Sequence, residues 1–376
     1  MGFELQGSYV WDFWIARDDH EYHLYCLTAP KTGDHPDLRH PRARIGHATS
    51  KDLKSWAYHG VVISPSEQPG WDDGVTWTGS ITRRLDGKWM MFYTGCSKAE
   101  NCKVQRIGAA VSDDLYNWQK LEGPLLELDA AHYESFDPAR WHDQAFRDPW
   151  VYPAPDGDGW RMLFTARDPN GLAKGAGVIG QASSPDLVSW TVKERLFGIG
   201  YYGEMEVPQL FELDGWWYCL FSNSSRHREP SYMTNGKAGL ATGTHYIRSR
   251  SSSGPFELVE EEFFAGDDTG HFYGGRVVEM EDGALGFMAF LNHDAAGDFV
   301  GTITDPMPIW TTAEGYLRID GGKYGLLPRL EAVAHPVSID LSPLIVSARE
   351  TLAPDALPAG QLNVPGEAEA GVEIRP

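Results

Sequence analysis

The sequence predicts an all-β fold, a single five-bladed β-propeller, on three observations. A unit of strands recurs five times, glycine-bearing turns fall between the strands, and hardly any helical periodicity separates them. The opening strand of each unit stands at 9–14, 76–83, 147–153, 206–213 and 273–280. A second strand, alternating and rich in aromatics, stands at 21–28, 88–94, 160–166, 216–222 and 284–290. Four of the five joins carry Asp-Gly just before the second strand, at Asp86-Gly87, Asp158-Gly159, Asp214-Gly215 and Asp282-Gly283, and this pair supplies the positive φ of tight hairpin turns.

A third strand ends in Ser-x-Asp-Leu-x-x-Trp at 45–56, 107–118 and 179–190; the fourth copy is degenerate at 239–249 and the fifth keeps only 300–310. Small residues ahead of that element fit close strand packing, and its Trp can cover the blade edge. A β-sandwich, the alternative, would not predict five similar units. The reading assigns 1–315 to the propeller and 316–376 to a C-terminal tail that packs on it or wraps it, since the stretch from 352 is rich in Pro, Ala, Gly and Glu.

Of the 376 residues 42% are apolar, ample for a large core, and 14 Trp with 41 Gly suit short strands, tight turns and stacking on apolar ring faces. A formal charge of −21 argues against nucleic acid as a partner, because binding it relies on Lys and Arg. No apolar run approaches the roughly 18 residues that span a bilayer, so no membrane partner is expected. Met1–Leu5 leads almost directly into the Asp12 motif, with no room for a secretory leader, and a cytoplasmic location is expected. Cys26 and Cys219 read as small buried hydrophobes. Cys96 and Cys102 flank one loop; they could pair, but reduced thiols are favoured.

In a propeller the equivalent ends of all opening strands converge on one mouth of the channel. Asp12, Asp148 and Glu206 open such strands and would meet there, with Trp11, Trp14, Trp77 and Trp150 nearby. That composition suits glycoside cleavage, in which one carboxylate attacks the anomeric carbon and another protonates the departing oxygen. Crowding raises the proton affinity of one acid, which separates the roles. Singly, each residue has a structural reading: Asp12 as a turn cap, Arg147-Asp148 as an ion pair, Glu204 as solvated. Their shared register with the repeats favours the site. His271, just before the fifth opening strand, reads as a sugar-hydroxyl partner rather than a metal ligand. No metal-binding, phosphate-binding or nucleophilic-serine motif occurs, so neither cofactor nor metal is expected.

Four ordered motifs, VWDFW (10–14), WTGS (77–80), RDP (147–149) and the Glu-x-Glu of 204–206 before an aromatic strand, make the chain resemble the fructan-processing propellers of glycoside hydrolase families 32 and 68. The likeness is strongest to the levansucrase and β-fructofuranosidase branch of family 68. It implies a retaining enzyme acting on a small carbohydrate, a β-fructofuranoside such as sucrose or a short fructo-oligosaccharide. By that resemblance Asp12 is the nucleophile, Asp148 holds sugar hydroxyls and stabilises the transition state, and Glu206 is the acid/base. Arg147 and Glu204 bind hydroxyls, Trp11, Trp77 and Trp150 line the sugar pocket beside Thr78, and Arg226 approximates the acceptor-side Arg. Gly203 stands where many levansucrases carry a calcium-ligand Asp, which again implies no metal. Two other readings remain: a family 43-like arabinan- or xylan-type glycosidase, and a catalytically silent sugar-binding propeller. The Glu-x-Glu pair and the Trp before Asp12 favour the fructosidase.

Overall fold

A computed structural model describes residues 2–33, 35–230, 242–267, 270–294 and 296–320. Of the expected tail, 316–376, residues Leu317–Ile319 form a strand paired with Met307–Thr311, and the part from 321 onward lies outside the described residues. Five antiparallel sheets follow one another along the chain, each with its first strand innermost. Blade 1 holds β1 (Ser8–Arg17), β2 (Tyr22–Pro30), β3 (Arg44–Ser50) and β4 (Ala57–Ile63). Blade 2 holds β5 (Val75–Arg83), β6 (Trp89–Cys96), β7 (Gln105–Ser112) and the two-residue β8 (Gln119–Lys120). Blade 3 holds β9 (Arg147–Pro153), β10 (Trp160–Arg167), β11 (Gly177–Ser184) and β12 (Thr191–Phe197). Blade 4 holds β13 (Glu206–Leu213), β14 (Trp216–Asn223), β15 (Thr242–Ser249) and β16 (Glu257–Asp267).

Blade 5 departs from the pattern where its repeat is degenerate. After β17 (Phe272–Glu279) and β18 (Leu285–His293), the third strand is split at Thr304-Asp305-Pro306 into β19 (Phe299–Ile303) and β20 (Met307–Thr311), with β21 (Leu317–Ile319) outside them. Pro lacks the N–H a ladder needs, which accounts for the break. The ring is fastened by Phe3, which exchanges both backbone hydrogen bonds with Ile303 at 2.7 and 2.9 Å and so ties the N-terminal segment to blade 5.

The core lies between blades rather than within one. Buried side chains of blades 1, 2 and 5 share one cluster (Phe13, Leu24, Met91, Tyr93, Met288, Phe290), and separate clusters bridge blades 2 and 3, 3 and 4, and 4 and 5. No single blade could bury both of its apolar faces alone, which is the physical reason the sequence must repeat.

Two local signals have specific outcomes. The glycines of all four Asp-Gly pairs have positive φ, but only Asp214-Gly215 (φ 51° and 72°) forms a two-residue turn, between the paired Leu213 and Trp216. In the Ser-x-Asp-Leu-x-x-Trp element, the Leu (Leu53, Leu115, Leu187) is buried at φ 59°, 64° and 69°. A side chain tolerates that region only when its surroundings compel it. Here Asp186 Oδ1 accepts the N–H groups of Val188 (2.9 Å) and Ser189 (2.6 Å), while Ser184 Oγ accepts that of Leu187 (2.8 Å). Trp190 Nε1 then donates to Leu187 O (3.0 Å) and closes the turn.

Candidate active site

The site grows from an irregularity that every inner strand shares. Pairing with the second strand breaks after Trp11, Trp77, Arg147, Glu206 and Tyr273, and resumes at Phe13, Gly79, Trp150, Gln209 and Arg276. Such β-bulges leave residues unpaired, bend the strand and re-aim side chains. The unpaired residues are Asp12, Thr78, Asp148-Pro149, Val207-Pro208 and Gly274-Gly275. This register revises one point of the sequence reading. Asp12 and Asp148 do hold equivalent places, but Glu206 sits one position earlier, matching Arg147 and Tyr273.

The bulges are strained and are held by tertiary bonds. Asp148 (φ 60°) and Val207 (φ 55°) occupy the left-handed region, which is most costly for a β-branched residue. Val207 N donates to Asp148 Oδ2 (3.1 Å), and buried Arg276 donates through Nη1 to Val207 O (3.2 Å) and Pro208 O (2.8 Å). Gly274 (φ 60°) has room for no side chain: a Cβ there would lie 2.7 Å from the Phe290 ring and 3.0 Å from Asp12 Oδ1.

Asp12 is oriented by Thr78, whose Oγ1 donates to Asp12 Oδ2 at 2.8 Å. Asp148 accepts Thr165 Oγ1 at 2.8 Å, and its own N–H donates to Thr94 Oγ1 at 3.0 Å. The buried Arg147 guanidinium bridges the Glu-x-Glu pair through Nη2, 2.6 Å from Glu204 Oε1 and 2.7 Å from Glu206 Oε1. Glu204 also accepts Trp141 Nε1 (3.3 Å), and its Oε2 meets His227 Nδ1 (2.8 Å). Glu206 accepts the Tyr273 hydroxyl.

These surroundings set the acids apart. Burial and the neighbouring Glu204 charge push the Glu206 carboxyl up to about 7, against the pull of Arg147. Burial and the Asp148 charge push Asp12 up to about 6, although Thr78 and Arg276 oppose them. Burial would raise Glu204 as well, but Arg147 and His227 outweigh it and hold that carboxyl well below its usual range. At neutral pH these surroundings favour the ionised forms of Glu204 and Asp12 and leave Glu206 the most readily protonated of the three.

The remaining expected residues fall as follows. Trp11 and Trp77 flank His40: the Trp11 ring meets the His40 ring edge-on with centroids 5.8 Å apart, and Trp77 Nε1 donates to His40 O at 3.0 Å. Trp150 lies beyond the bulges, lining a cavity with Trp14 and Arg276. Arg226 is exposed, and its neighbour His227 is the residue that reaches Glu204. His271 braces a loop, its ring Nδ1 bonded to His293 O (2.8 Å) and its N–H donating to Asp267 Oδ1 (2.8 Å). All four cysteines are free thiols. His142, Asp143 and Glu204 bring ligand atoms within 4.8 Å of one another, but a metal ion there would displace the Arg147 and His227 contacts of Glu204.

Sequence reasoning missed Tyr273, His227 and Trp141. Tyr273 was legible as the first residue of the fifth opening strand. Trp141 sits in 121–146, which shares no pattern with the repeats, and nothing in the sequence pointed to it.

Comparison with known proteins bears on the fold and the family. A β-fructofuranosidase, insoluble isoenzyme, of Arabidopsis thaliana is 29% identical over 312 residues, 78% of this chain and 53% of that protein. The extracellular sucrase of Zymomonas mobilis is 22% identical over 346 residues, 79% of this chain and 78% of its own. The chain thus spans about half the length, or less, of the plant relatives it matches. Inulosucrase from Halalkalicoccus jeotgali, solved bound to kestose, shares the fold, with a TM-score of 0.68, 23% identity and coverage of 84% of this chain and 87% of that one. The expectation of a cytoplasmic location is overturned by these relatives, since the similar sucrase is extracellular; the short run before Asp12 was no guide to location. No helix among the described residues is long and apolar enough to cross a membrane. Residues 15–312 match the model for the glycosyl hydrolases family 32 N-terminal domain, beginning just after Asp12, and the chain belongs to that family.

Proposed function

We propose that the protein cleaves β-fructofuranosides, sucrose or short fructo-oligosaccharides, with retention through a fructosyl ester on Asp12. The observation that carries this reading is the pair formed around Tyr273-Gly274. Tyr273 holds Glu206, Gly274 leaves space against Asp12, and a proton-bearing acid and a nucleophile thus meet at adjacent residues of β17. In the first step Asp12 attacks the anomeric carbon while Glu206 gives its proton to the departing oxygen. In the second, Glu206 takes a proton from water or a sugar hydroxyl, which releases the fructosyl group. Asp148, Arg147 and Glu204 accept and donate to sugar hydroxyls. Family membership and relatives named β-fructofuranosidase and sucrase support a fructoside over an arabinan- or xylan-type substrate. A panel of sucrose, inulin, levan and aryl arabinofuranosides, with products resolved by chromatography, tests it. Release of fructose from sucrose is expected, and release from the arabinofuranosides alone would reject the reading.

The two raised carboxyls set a pH dependence. Asp12 must be ionised, so kcat/KM falls below about pH 6. Glu206 must be protonated, so kcat/KM falls above about pH 7. The Tyr273 hydrogen bond favours the ionised form of Glu206, so Tyr273→Phe is expected to move the alkaline limb to higher pH and leave the acid limb in place. An unmoved alkaline limb would detach Tyr273 from Glu206.

A further inference from the structure

We propose that Arg167, ion-paired with Glu134, is the residue that positions Glu204 and thereby fixes how the Arg147 charge is divided between Glu204 and Glu206. The inference rests on the acid/base role given to Glu206 above. Arg167 ends β10 and is 1% exposed; Glu134, ahead of blade 3, is 6% exposed. Every nitrogen of the Arg167 guanidinium is engaged. Nε donates to Glu134 Oε1 (2.8 Å), Nη2 to Ala173 O (2.8 Å) and Nη1 to Gly203 O, the peptide oxygen directly before Glu204. The guanidinium carbon also lies over the Trp141 ring, 3.9 Å from its centroid. Trp141 Nε1 in turn donates to Glu204 Oε1 (3.3 Å). Arg167 therefore reaches Glu204 twice, through the backbone ahead of it and through the indole against its carboxylate.

The fit around Gly203 leaves little freedom. Its N–H donates to His227 O (2.8 Å), and a Cβ on it would lie 2.8 Å from Trp141 Cη2. Glu134 completes the hold: its Oε2 accepts Arg140 Nε (2.6 Å) and its N–H donates to Arg167 O (2.8 Å), so the segment carrying Trp141 is tied to β10. A buried ion pair adds little stability over apolar packing. What a planar, forked guanidinium adds is geometry. That geometry matters because Arg147 Nη2 is shared, at 2.6 Å from Glu204 Oε1 and 2.7 Å from Glu206 Oε1. Glu206 is faced by Glu204, Arg147, Asp148 and Tyr273. If Glu204 moved away, the charge that raises Glu206 would weaken and Arg147 would be left to Glu206 alone. Both changes lower the proton affinity of Glu206.

The test uses the full chain. Arg167→Lys keeps a charge opposite Glu134 but lacks the fork and the plane. It is expected to raise KM and to move the alkaline limb of kcat/KM to lower pH by about one unit. The acid limb should stay, because Asp12 is bonded to Thr78 and shifted by Asp148 and Arg276, none of which Arg167 contacts. In a Glu204→Gln background the same substitution should give no further shift, since the two residues act in one chain. Trp141→Phe keeps a ring against Arg167 and removes the indole donor. It should move the limb the same way by less, which supplies the reading where Arg167→Lys fails to fold. The limb is measured on whichever glycoside the substrate panel shows to be cleaved, so rejection of fructosides there leaves this test intact. A lower Tm with KM and the limb unmoved would make Arg167 a structural residue only and overturn the proposal. An equal shift with and without Glu204 would overturn it too, as would a limb that Trp141→Phe leaves in place.

Discussion

Asp12→Asn is expected to lower sucrose turnover by about 10⁴-fold or more, the scale of loss when a covalent nucleophile is deleted, while the protein folds normally. The substitution keeps shape and volume, and an asparagine oxygen can still accept the Thr78 Oγ1 hydrogen that Asp12 Oδ2 accepts at 2.8 Å. What disappears is the charge. The folded protein holds that charge at a cost, because burial and Asp148 raise the carboxyl to about 6 from 3.8 in the unfolded chain. Between those values the folded state binds more protons than the unfolded one, so this group destabilises the fold progressively as pH rises through the window, and fully above about 6. The asparagine carries no such penalty. At pH 7 the variant should therefore be more stable, by an amount on the order of 2 kcal/mol, and the gain should vanish as pH falls towards 4. Denaturant unfolding at both pH values reads this, and turnover reads the chemistry. A folded Asp12→Asn protein that still hydrolyses sucrose at the normal rate would remove Asp12 from the mechanism.

That coupling of lost activity to gained stability belongs to the way the site is built. Asp148 and Val207 sit at positive φ, and Arg276 and the Asp148 carboxylate hold the Val207 bulge in place. The strain is tolerated because the blades on either side are packed through their own buried clusters.

How much of this was legible depended on the repeats. The five opening strands were readable because Tyr, Trp, Phe and Val alternate there and Asp-Gly marks most of the joins. The bulges were not: they are a property of pairing between strands, and one residue of slip moved Glu206 out of the place assigned to it, beside Arg147 and Tyr273. The fourth strands carried no signal, since β4 and β12 are largely exposed and β8 has only two residues. Arg226 was chosen over His227 for the same reason that Trp141 went unnoticed. Both lie in loops, where position is fixed by contacts such as the 3.9 Å approach of Arg167 to the Trp141 ring and not by periodicity.

The second large effect is expected at Glu206, and its form separates Glu206 from Glu204. Both carboxylates touch the same Arg147 nitrogen, yet their surroundings drive them apart: Glu206 is raised to about 7, and Glu204 is held well below its usual range. Only Glu206 can carry a proton near neutrality, so Glu206→Gln should lower kcat on sucrose by about 10²–10⁴-fold, the usual contribution of a general acid. A leaving group that departs without protonation escapes this loss. An aryl fructoside with an activated leaving group should therefore keep most of its first-step rate, and the alkaline limb of its pH profile should disappear. Glu204→Gln should act differently. It should weaken both substrates alike, mainly through KM, because it removes a hydroxyl partner. It also removes the negative charge that raises Glu206, so the alkaline limb should move to lower pH, opposite in direction to the shift expected of Tyr273→Phe. Burst-phase and steady-state rates for both substrates across pH 5 to 9 measure all of these. Leaving-group dependence that appears in Glu204→Gln, and not in Glu206→Gln, would exchange the two roles.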